Sequence, residues 1–325
     1  MGKEIKVSVF CVCYNHEKFI RTALEGFVMQ KTDFPFEVFV HDDASTDSSA
    51  DIIREYAQKY PDIIKPVYQS QNQYSKKIPI IRTFLVPKAT GKYFAFCEGD
   101  DCWTDPNKLQ LQVDFLDSHP DYAACVHNTE IFDVSHNCYT GLVSSYTQDR
   151  DIAFKEAVMW SGGQKYQTSS LMYRREYFFD RPDYFQIAKD FGDYPLAIYL
   201  TSASKMHFIA KTMSLYRLNS SAISWSSCNE GNAKKRAQHL ACVIKMLNAV
   251  KETVSDDKKA DVDKSIVLRE YQLYISLGDY KNIKQPPFQK YFQKESKSFR
   301  FKFILRYYFP FVSTVRRYLK TVFKK

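Results

Sequence analysis

The chain has 325 residues, more than the roughly 100–150 of an average domain, so we expect one large domain with an extension or two domains. Hydrophobic residues make up 45% and aromatic residues 16%, which excludes a disordered chain. The formal net charge is +9, but residues 296–325 hold nine Lys or Arg and no Asp or Glu. The rest of the chain, with 37 basic and 37 acidic residues, is neutral and unlike a nucleic-acid-binding body.

The eight cysteines include no C-x-x-C pair and no zinc-type spacing. In a chain of this length we interpret them as reduced core thiols of a cytosolic protein. The first 15 residues contain an apolar run of only about eight, too short for a signal peptide. Because no stretch reaches the roughly 18 apolar residues of a membrane-spanning helix, we expect a protein on the cytoplasmic side.

Strand and helix patterns alternate over the first 130 residues. Apolar runs rich in β-branched residues predict strands, and apolar residues at helical spacing predict helices. The predicted strands are 5–14, 36–41, 63–68, 93–98 and 121–128, and the predicted helices are 17–30, 49–60 and 80–89. This alternation indicates an α/β fold with a mostly parallel sheet, in which ligands bind at the carboxyl ends of the strands.

The second half of the sequence is less regular. We predict a helix over 193–200, a short strand over 206–210, and two long helices near 230–252 and 257–277. A domain boundary near residue 226 separates residues 1–225 from a helical extension, 226–325, that ends in a basic tail.

Two acidic clusters directly follow predicted strands. Asp42 and Asp43 follow the second strand, and Glu98, Asp100 and Asp101 follow the fourth. Carboxylates this close repel one another unless water or a cation neutralises them. A divalent cation shared with a nucleotide diphosphate explains the second cluster, whereas the first suits hydrogen-bond donors of a base or ribose.

The stretches VSVFCVCYNHEKFIRTAL, VHDDASTDSS and ATGKYFAFCEGDDCWTDPNKLQLQVDFL stand in this order along the chain. Together they resemble the family 2 glycosyltransferases of the GT-A fold, which carry a Tyr-Asn turn, a DDxSxD motif and a DxD-type metal motif. The resemblance covers about residues 5–225. It implies a Rossmann-like sheet and inverting transfer of a sugar from a nucleoside diphosphate, most often UDP, to a hydroxyl group.

The resemblance also implies roles for residues around the donor. Tyr14 would border the base, and Asp42 and Asp43 would hold the base and ribose. Arg82 and Arg217 would add positive charge at the diphosphate.

For the chemistry, Glu98, Asp100 and Asp101 occupy the position of the DxD element, with Glu98 in place of its first Asp. The metal role, for Mn²⁺ or Mg²⁺, falls on Asp100 or Asp101, and the sequence leaves open which. Asp193 stands where the family has its general base, although Gly192 replaces the usual Glu before it.

The basic tail predicts a partner. From residue 310 the apolar positions follow helical spacing with Arg and Lys on the other faces, which is typical of a helix lying on an anionic membrane. Such a helix would place the protein peripherally on the inner face of the plasma membrane, near a saccharide or lipid-linked acceptor of cell-surface polysaccharide synthesis. Packing of this helix on the catalytic body is the alternative. The competing functions are a catalytically impaired protein that binds nucleotide sugars and a basic nucleic-acid-binding protein.

Overall fold

The computed structural model describes residues 4–159, 165–188, 192–220 and 233–309. Contacts divide the chain into two units, which are described separately. The first contains Met1–Arg181 and Asp193–Ser227, and the second contains Pro182–Gly192 and Cys228–Lys325.

One sheet organises the first unit. Its strands are β1 (Val7–Cys13), β2 (Phe36–Asp42), β3 (Ile64–Tyr68), β4 (Tyr93–Phe96), β5 (Cys102–Trp103), β6 (Tyr122–Asp133), β7 (Cys138–Leu142), β8 (Arg150–Asp151), β9 (Met172–Arg174) and β10 (Lys205–Leu218). Their spatial order is β3-β2-β1-β4-β9-β6-β10-β5, with β7 beside β6 and β8 beside β10. Strands β1, β2, β3 and β4 pair in parallel, as do β6 and β10, and β9 is the antiparallel strand between the two groups.

The prediction of a mostly parallel α/β sheet is confirmed. Strand β1 is central and buried on both faces, which explains why its sequence is a continuous apolar run rather than an alternating one. Val9 belongs to the core cluster on one face, and Phe10 packs edge-on against Phe94 on the other, with ring centroids 4.9 Å apart.

Helices cover this sheet where apolar residues recur at helical spacing. The helices of the first unit are α1 (Ile20–Val28), α2 (Ser49–Lys59), α3 (Lys108–Ser118), α4 (Phe154–Met159), α5 (Glu176–Phe179) and α7 (Asp193–Ala203). Helix α1 packs so closely on β5 that a Cβ added at Gly26 would lie 2.8 Å from the carbonyl oxygen of Trp103.

Two predicted elements differ from the structure. The helix expected over 80–89 is a π turn over Ile81–Leu85 followed by a 3₁₀ turn over Val86–Lys88, because Pro87 lacks the amide N–H that a continuous α-helix would use at this position. The strand expected over 206–210 extends to Leu218, since β10 pairs along its length with β6 and near its end with β5.

The second unit is helical. Besides α6 (Tyr184–Ile187), it contains α8 (Ala233–Thr253), α9 (Asp256–Leu277), α10 (Tyr280–Ile283), α11 (Phe288–Lys294) and α12 (Lys297–Tyr308). Tyr271, Ile283 and Phe292 form a small core between its last helices. In the described ranges, no helix combines the length and apolar character needed to cross a membrane. The amphipathic helix predicted from residue 310 lies outside the described residues.

The described cysteines are all free thiols. Five are buried in the sheet and its loops, namely Cys11, Cys13, Cys97, Cys102 and Cys125. The expectation of core thiols is wrong for Cys138, which is exposed on the edge strand β7.

Candidate active site

The two acidic clusters meet at the carboxyl end of β1. Strand β2 lies on one side of β1, where Cys13 is paired in register with Asp42, and the amide of Asp43 donates to the Cys13 carbonyl at 2.9 Å. Strand β4 lies on the other side, and the amide of Gly99 donates to the Val12 carbonyl at 2.9 Å. Residues 42–43 and 98–101 therefore flank the same strand end.

The turn after β1 is fastened to the loop after β2. Asn15 has a φ of 55°, a left-handed conformation that Asn tolerates better than most residues, and its Oδ1 accepts the amide of Thr46 at 2.8 Å. The hydroxyls of Ser45 and Ser49 accept the amides of Asn15 and His16 at 3.0 and 2.9 Å. The serines of DDASTDSS thus shape the Tyr-Asn turn.

Asp42 presents an unsatisfied acceptor. The residue is 3% exposed, and its Oδ2 accepts the amide of Ser45 at 3.2 Å, whereas Oδ1 is buried with no partner in the described structure. A buried carboxylate oxygen is costly to leave unpaired. This atom is therefore suited to accept a hydrogen bond from a ligand.

Asp43 is engaged within the protein. Its Oδ1 and Oδ2 accept the amides of Gln73 and Tyr74 at 2.8 and 3.0 Å, and the Nε2 of His41 lies 3.3 Å from Oδ1. These bonds fix the segment after β3 beside the end of β2. The prediction that Asp43 binds base or ribose stays a prediction, and the observed contacts of its carboxylate are to two backbone amides and to the imidazole of His41.

The acidic side chains of the second cluster lie close enough together to interact electrostatically. Burial, followed by the charges of Asp100 and then Asp193, raises the pKa of Glu98 to about 7. Burial and the charges of Asp100 and Glu98 also raise the pKa of Asp101 well above its ordinary value. The Oε2 of Glu98 is buried and has no partner in the described structure. Burial therefore favours the neutral, protonated forms of Glu98 and Asp101 more than water would.

Asp100 and Asp101 have different surroundings. Asp101 is 2% exposed, and its Oδ1 accepts the amide of Arg217 at 2.9 Å. The side chain of Asp100 is 21% exposed, and its Oδ2 accepts the hydroxyl of Ser220 at 2.6 Å. Asp101 therefore ties the acidic loop to β10, while Asp100 lies closer to solvent.

Arg217, on strand β10, is hydrogen-bonded to the acidic loop. Its Nη1 donates to the carbonyl of Asp100 at 2.8 Å, and its guanidinium lies 5.2 Å from the ring centroid of Phe19. The guanidinium of Arg217 therefore lies beside the acidic loop, where its observed partners are the Asp100 carbonyl, the Cys102 sulfur at 3.8 Å and the Phe19 ring.

His16 and Gly99 were missed in the sequence. The Nε2 of His16 lies 4.0 Å from Oδ2 of Asp100, and burial lowers the pKa of His16, so its neutral form is favoured. A Cβ at Gly99 would lie 3.0 Å from Nδ1 of His16. The only sequence signals were the position of His16 beside the Tyr-Asn turn and of Gly99 inside the acidic run.

The remaining predicted residues have the following places. Asp193 begins α7, and its Oδ1 accepts the amide of Tyr194 at 2.9 Å; its charge contributes to the raised pKa of Glu98. Tyr14 directly follows β1 and is half-buried. Arg82 is exposed, and its guanidinium lies 5.8 Å from the ring centroid of Phe178. Its contact is an aromatic ring, and its proposed role at a diphosphate is untested.

The donor atoms of the acidic loop fit a divalent cation. No group of three His, Cys, Asp or Glu side chains in the described ranges is arranged to hold a metal by itself. However, Mg²⁺ and similar cations usually take only one or two carboxylates and complete their shell with water and phosphate oxygens. The Oε2 of Glu98, which has no partner among the described residues, and the partly exposed carboxylate of Asp100 supply hard oxygen donors of this kind.

A mostly parallel sheet with acidic side chains gathered at the end of its first strand defines a protein of the GT-A fold. The family model described as Glycosyl transferase family 2 matches residues 8–181, more than half of the chain. The chain belongs to this family, as the sequence predicted.

Relatives extend the match beyond the family model. The uncharacterized protein Rv1520 of Mycobacterium tuberculosis is 34% identical over 225 residues, which are 68% of this chain and 61% of that protein. The chain thus spans about six-tenths of the length of this relative. The putative glycosyltransferase EpsE of Bacillus subtilis is 34% identical over 133 residues, 41% of this chain and 46% of EpsE.

Solved structures share the fold at low sequence identity. TarS 1-349 of S. aureus, crystallised in complex with UDP, aligns with a TM-score of 0.51 and 16% identity, covering 90% of this chain and 76% of that one. Mannosyltransferase PcManGT of Pyrobaculum calidifontis, in complex with GDP-Man and Mn²⁺, aligns with a TM-score of 0.50 and 14% identity, covering 94% and 88%. These similarities confirm the predicted fold class.

Proposed function

We propose that the protein transfers a sugar from a nucleoside diphosphate donor, UDP first among the candidates, to an acceptor hydroxyl with inversion and with the help of a divalent cation. The observation that carries this proposal is a pair of buried carboxylate oxygens on either side of β1, Oδ1 of Asp42 and Oε2 of Glu98, that have no hydrogen-bond partner among the residues the structure describes. One suits the hydrogen-bond donors of a nucleoside, and the other suits a cation at its diphosphate. Membership of the family supports the proposal.

Five residues are proposed to bind the donor. Asp42 accepts a hydrogen bond from the base or ribose through its free oxygen. Asp43 supports the same site through the segment that it holds, and Tyr14 borders the base at the end of β1. Arg82 and Arg217 add positive charge toward the diphosphate, and the observed bond of Arg217 to the Asp100 carbonyl also fixes the acidic loop.

Glu98 and Asp100 are proposed to hold Mn²⁺ or Mg²⁺. When bound, the cation neutralises charge on the leaving diphosphate. Between the two aspartates the surroundings favour Asp100, because Asp101 is buried and accepts the amide of Arg217. The crystals of PcManGT with Mn²⁺ show that a protein of this fold can bind such an ion.

Asp193 is proposed as the general base. Its carboxylate would take the proton of the attacking hydroxyl while the new C1–O bond forms and the bond to the diphosphate breaks. Its charge raises the pKa of Glu98, which is consistent with its lying near the acidic loop. A carboxylate at the first turn of a helix is also stabilised in its charged form, as a base requires.

The acceptor is proposed to be a saccharide or lipid-linked saccharide in cell-surface polysaccharide synthesis. The basic segment 296–325 would bring the protein to the anionic inner face of the plasma membrane. Nucleic acid is not a proposed partner, since the body of the chain is neutral and its crevice acidic.

A screen of nucleotide sugars tests this function. Donor should raise the melting temperature by mass action, more strongly with Mn²⁺ than with EDTA, and incubation should release nucleoside diphosphate. Asp42→Asn and Asp100→Asn should weaken this stabilisation, whereas Asp62→Asn, which removes an exposed carboxylate between α2 and β3, is a control for altered charge. Absence of stabilisation by every donor with either metal would refute the proposal.

The alternative is a catalytically impaired protein that only binds the donor. It is favoured by Glu98 in place of the usual Asp and by Gly192 before Asp193. Stabilisation by donor without diphosphate release, in the presence of a range of saccharide acceptors, would support this alternative.

A further inference from the structure

Helix α12 exposes an unusual number of aromatic side chains. Phe301 is 67% exposed, Tyr308 56% and Phe309, directly after the helix, 48%. The opposite side of α12 is packed, since the rings of Phe303 and Phe292 have centroids 5.7 Å apart. The helix is thus anchored in its own unit while several large rings face solvent, which soluble surfaces rarely allow in a cluster.

The same helix is strongly basic. Lys297, Lys302 and Arg306 are exposed on it, and residues 296–309 include no Asp or Glu. Positive charge without intervening carboxylates is complementary to an anionic surface. The sequence continues this pattern to residue 325.

A basic groove lies in the same helical unit. A cavity of about 390 Å³ between α9 and α11 is lined by Val267, Pro287 and Tyr291 and by Lys290 and Lys294, one helical turn apart. Within the described part of the chain, neither lysine forms an ion pair. Asp263, which also lines the groove, is paired with Lys251 at 2.6 Å.

We infer that the solvent-facing side of α12, with Phe301, Tyr308 and Phe309 among Lys302 and Arg306, docks on an anionic phospholipid bilayer. The aromatic rings enter the boundary between headgroups and acyl chains, and the basic side chains contact lipid phosphates. The inference rests on the proposed membrane partner, and it assigns the contact to described residues rather than to the sequence after residue 310.

A bilayer fits this face better than other occupants. Duplex binding requires basic residues that follow the phosphates, and exposed rings spread from the middle of α12 to the residue after it add nothing to such binding. A second copy of the chain would place equal positive charges against one another. Anionic lipid satisfies the rings and the charges together.

Vesicle sedimentation of the full chain tests this inference. The chain should bind phosphatidylglycerol-containing vesicles, and not pure phosphatidylcholine vesicles, in a salt-sensitive manner. Lys302→Glu with Arg306→Glu should lower the partition coefficient roughly thirtyfold or more, because each basic residue near an anionic surface contributes about a fivefold change. Phe301→Ser with Tyr308→Ser should lower it at least about tenfold even at high salt.

Matched variants in the first unit, which contains the sheet, serve as controls. Tyr139→Ser removes a 65% exposed ring from β7, and Lys59→Glu with Lys155→Glu reverses two exposed charges. These variants should sediment with vesicles as the unchanged chain does, and circular dichroism should be alike for all. Equal vesicle binding by the α12 variants would overturn the inference. It would also be overturned by a dimer, or a complex with single-stranded DNA, that these variants abolish while vesicles remain unbound.

This result is separable from the proposed glycosyl transfer. Donor stabilisation and diphosphate release by the soluble α12 variants should equal those of the unchanged chain. Vesicle binding by the α12 variants therefore tests only the proposed membrane surface. Donor binding by the unchanged chain tests only the proposed function.

Discussion

Replacement of Glu98 by Gln should make the metal-free protein more stable at alkaline pH. The pKa of Glu98 is raised from 4.5 to about 7 by burial and by the charges of Asp100 and Asp193. The folded protein therefore binds more protons than the unfolded chain between these two values. The contribution of Glu98 is greatest below pH 4.5, falls as the pH rises, and is lost above about pH 7.

The size of the effect follows from the shift. A rise of the pKa from 4.5 to about 7, at about 1.36 kcal/mol for each tenfold change in proton affinity, corresponds to about 3 kcal/mol. We expect Glu98→Gln to unfold with a free energy about 1–3 kcal/mol above that of the unchanged protein at pH 8.5, and about a quarter of this difference at pH 5.

Urea unfolding in EDTA at several pH values measures this difference. Buried histidines such as His127, whose pKa is lowered by burial, change stability with pH in the opposite direction. The quantity to compare is therefore the free energy of unfolding of the variant minus that of the unchanged protein at each pH. A difference for Glu98→Gln that is constant from pH 5 to 8.5 would refute the reasoning.

Three further predictions concern the same site. Asp193→Asn should lower kcat roughly 10²–10⁴-fold while donor binding, measured by calorimetry, is nearly unchanged; normal turnover would exclude it as the base. Arg217→Met should cost about 1.5–3 kcal/mol in chemical unfolding, because its charged bond to the Asp100 carbonyl is lost, and Arg217→Lys should restore part; equal stability of all three proteins would argue against this contact. Gly99→Val should cost about 1–3 kcal/mol in thermal unfolding, because its side chain collides with His16, whereas unchanged stability would show that the loop can move.

The sheet and the location of the site were predictable because their signals are local. A buried parallel strand is a continuous apolar run, and the residue after it lies at the carboxyl edge of the sheet, so β1, β2 and β4 already implied that Asp42 and Glu98 lie near one another. The prediction of a helix over 80–89 is wrong, because apolar residues recur there at helical spacing but Pro87 interrupts the α-helical hydrogen bonds.

The contacts that divide the roles within the site were not predictable, because they join residues distant in sequence. The amides that bind Asp43 come from residues 30 and 31 positions away, and the amide that binds Asp101 comes from 116 positions away. Nothing in the sequence near either aspartate indicates these partners. Only the folded sheet brings them together.

The two Asp-Asp pairs show why acidic residues occur in tandem here. Asp42 ends strand β2, where successive side chains point to opposite sides, and Asp100 and Asp101 lie in a turn; in both pairs the two members enter different surroundings. In the first pair Asp43 accepts backbone amides while Asp42 keeps a free oxygen, and in the second pair Asp101 accepts the amide of Arg217 while Asp100 lies nearer solvent. Asp43 and Asp101 each fix the loop that follows a strand, and these contacts hold Asp42 and Asp100 at the carboxyl end of β1. A single acidic residue in either loop would have to do both, and a carboxylate saturated by backbone amides has little capacity left for a ligand.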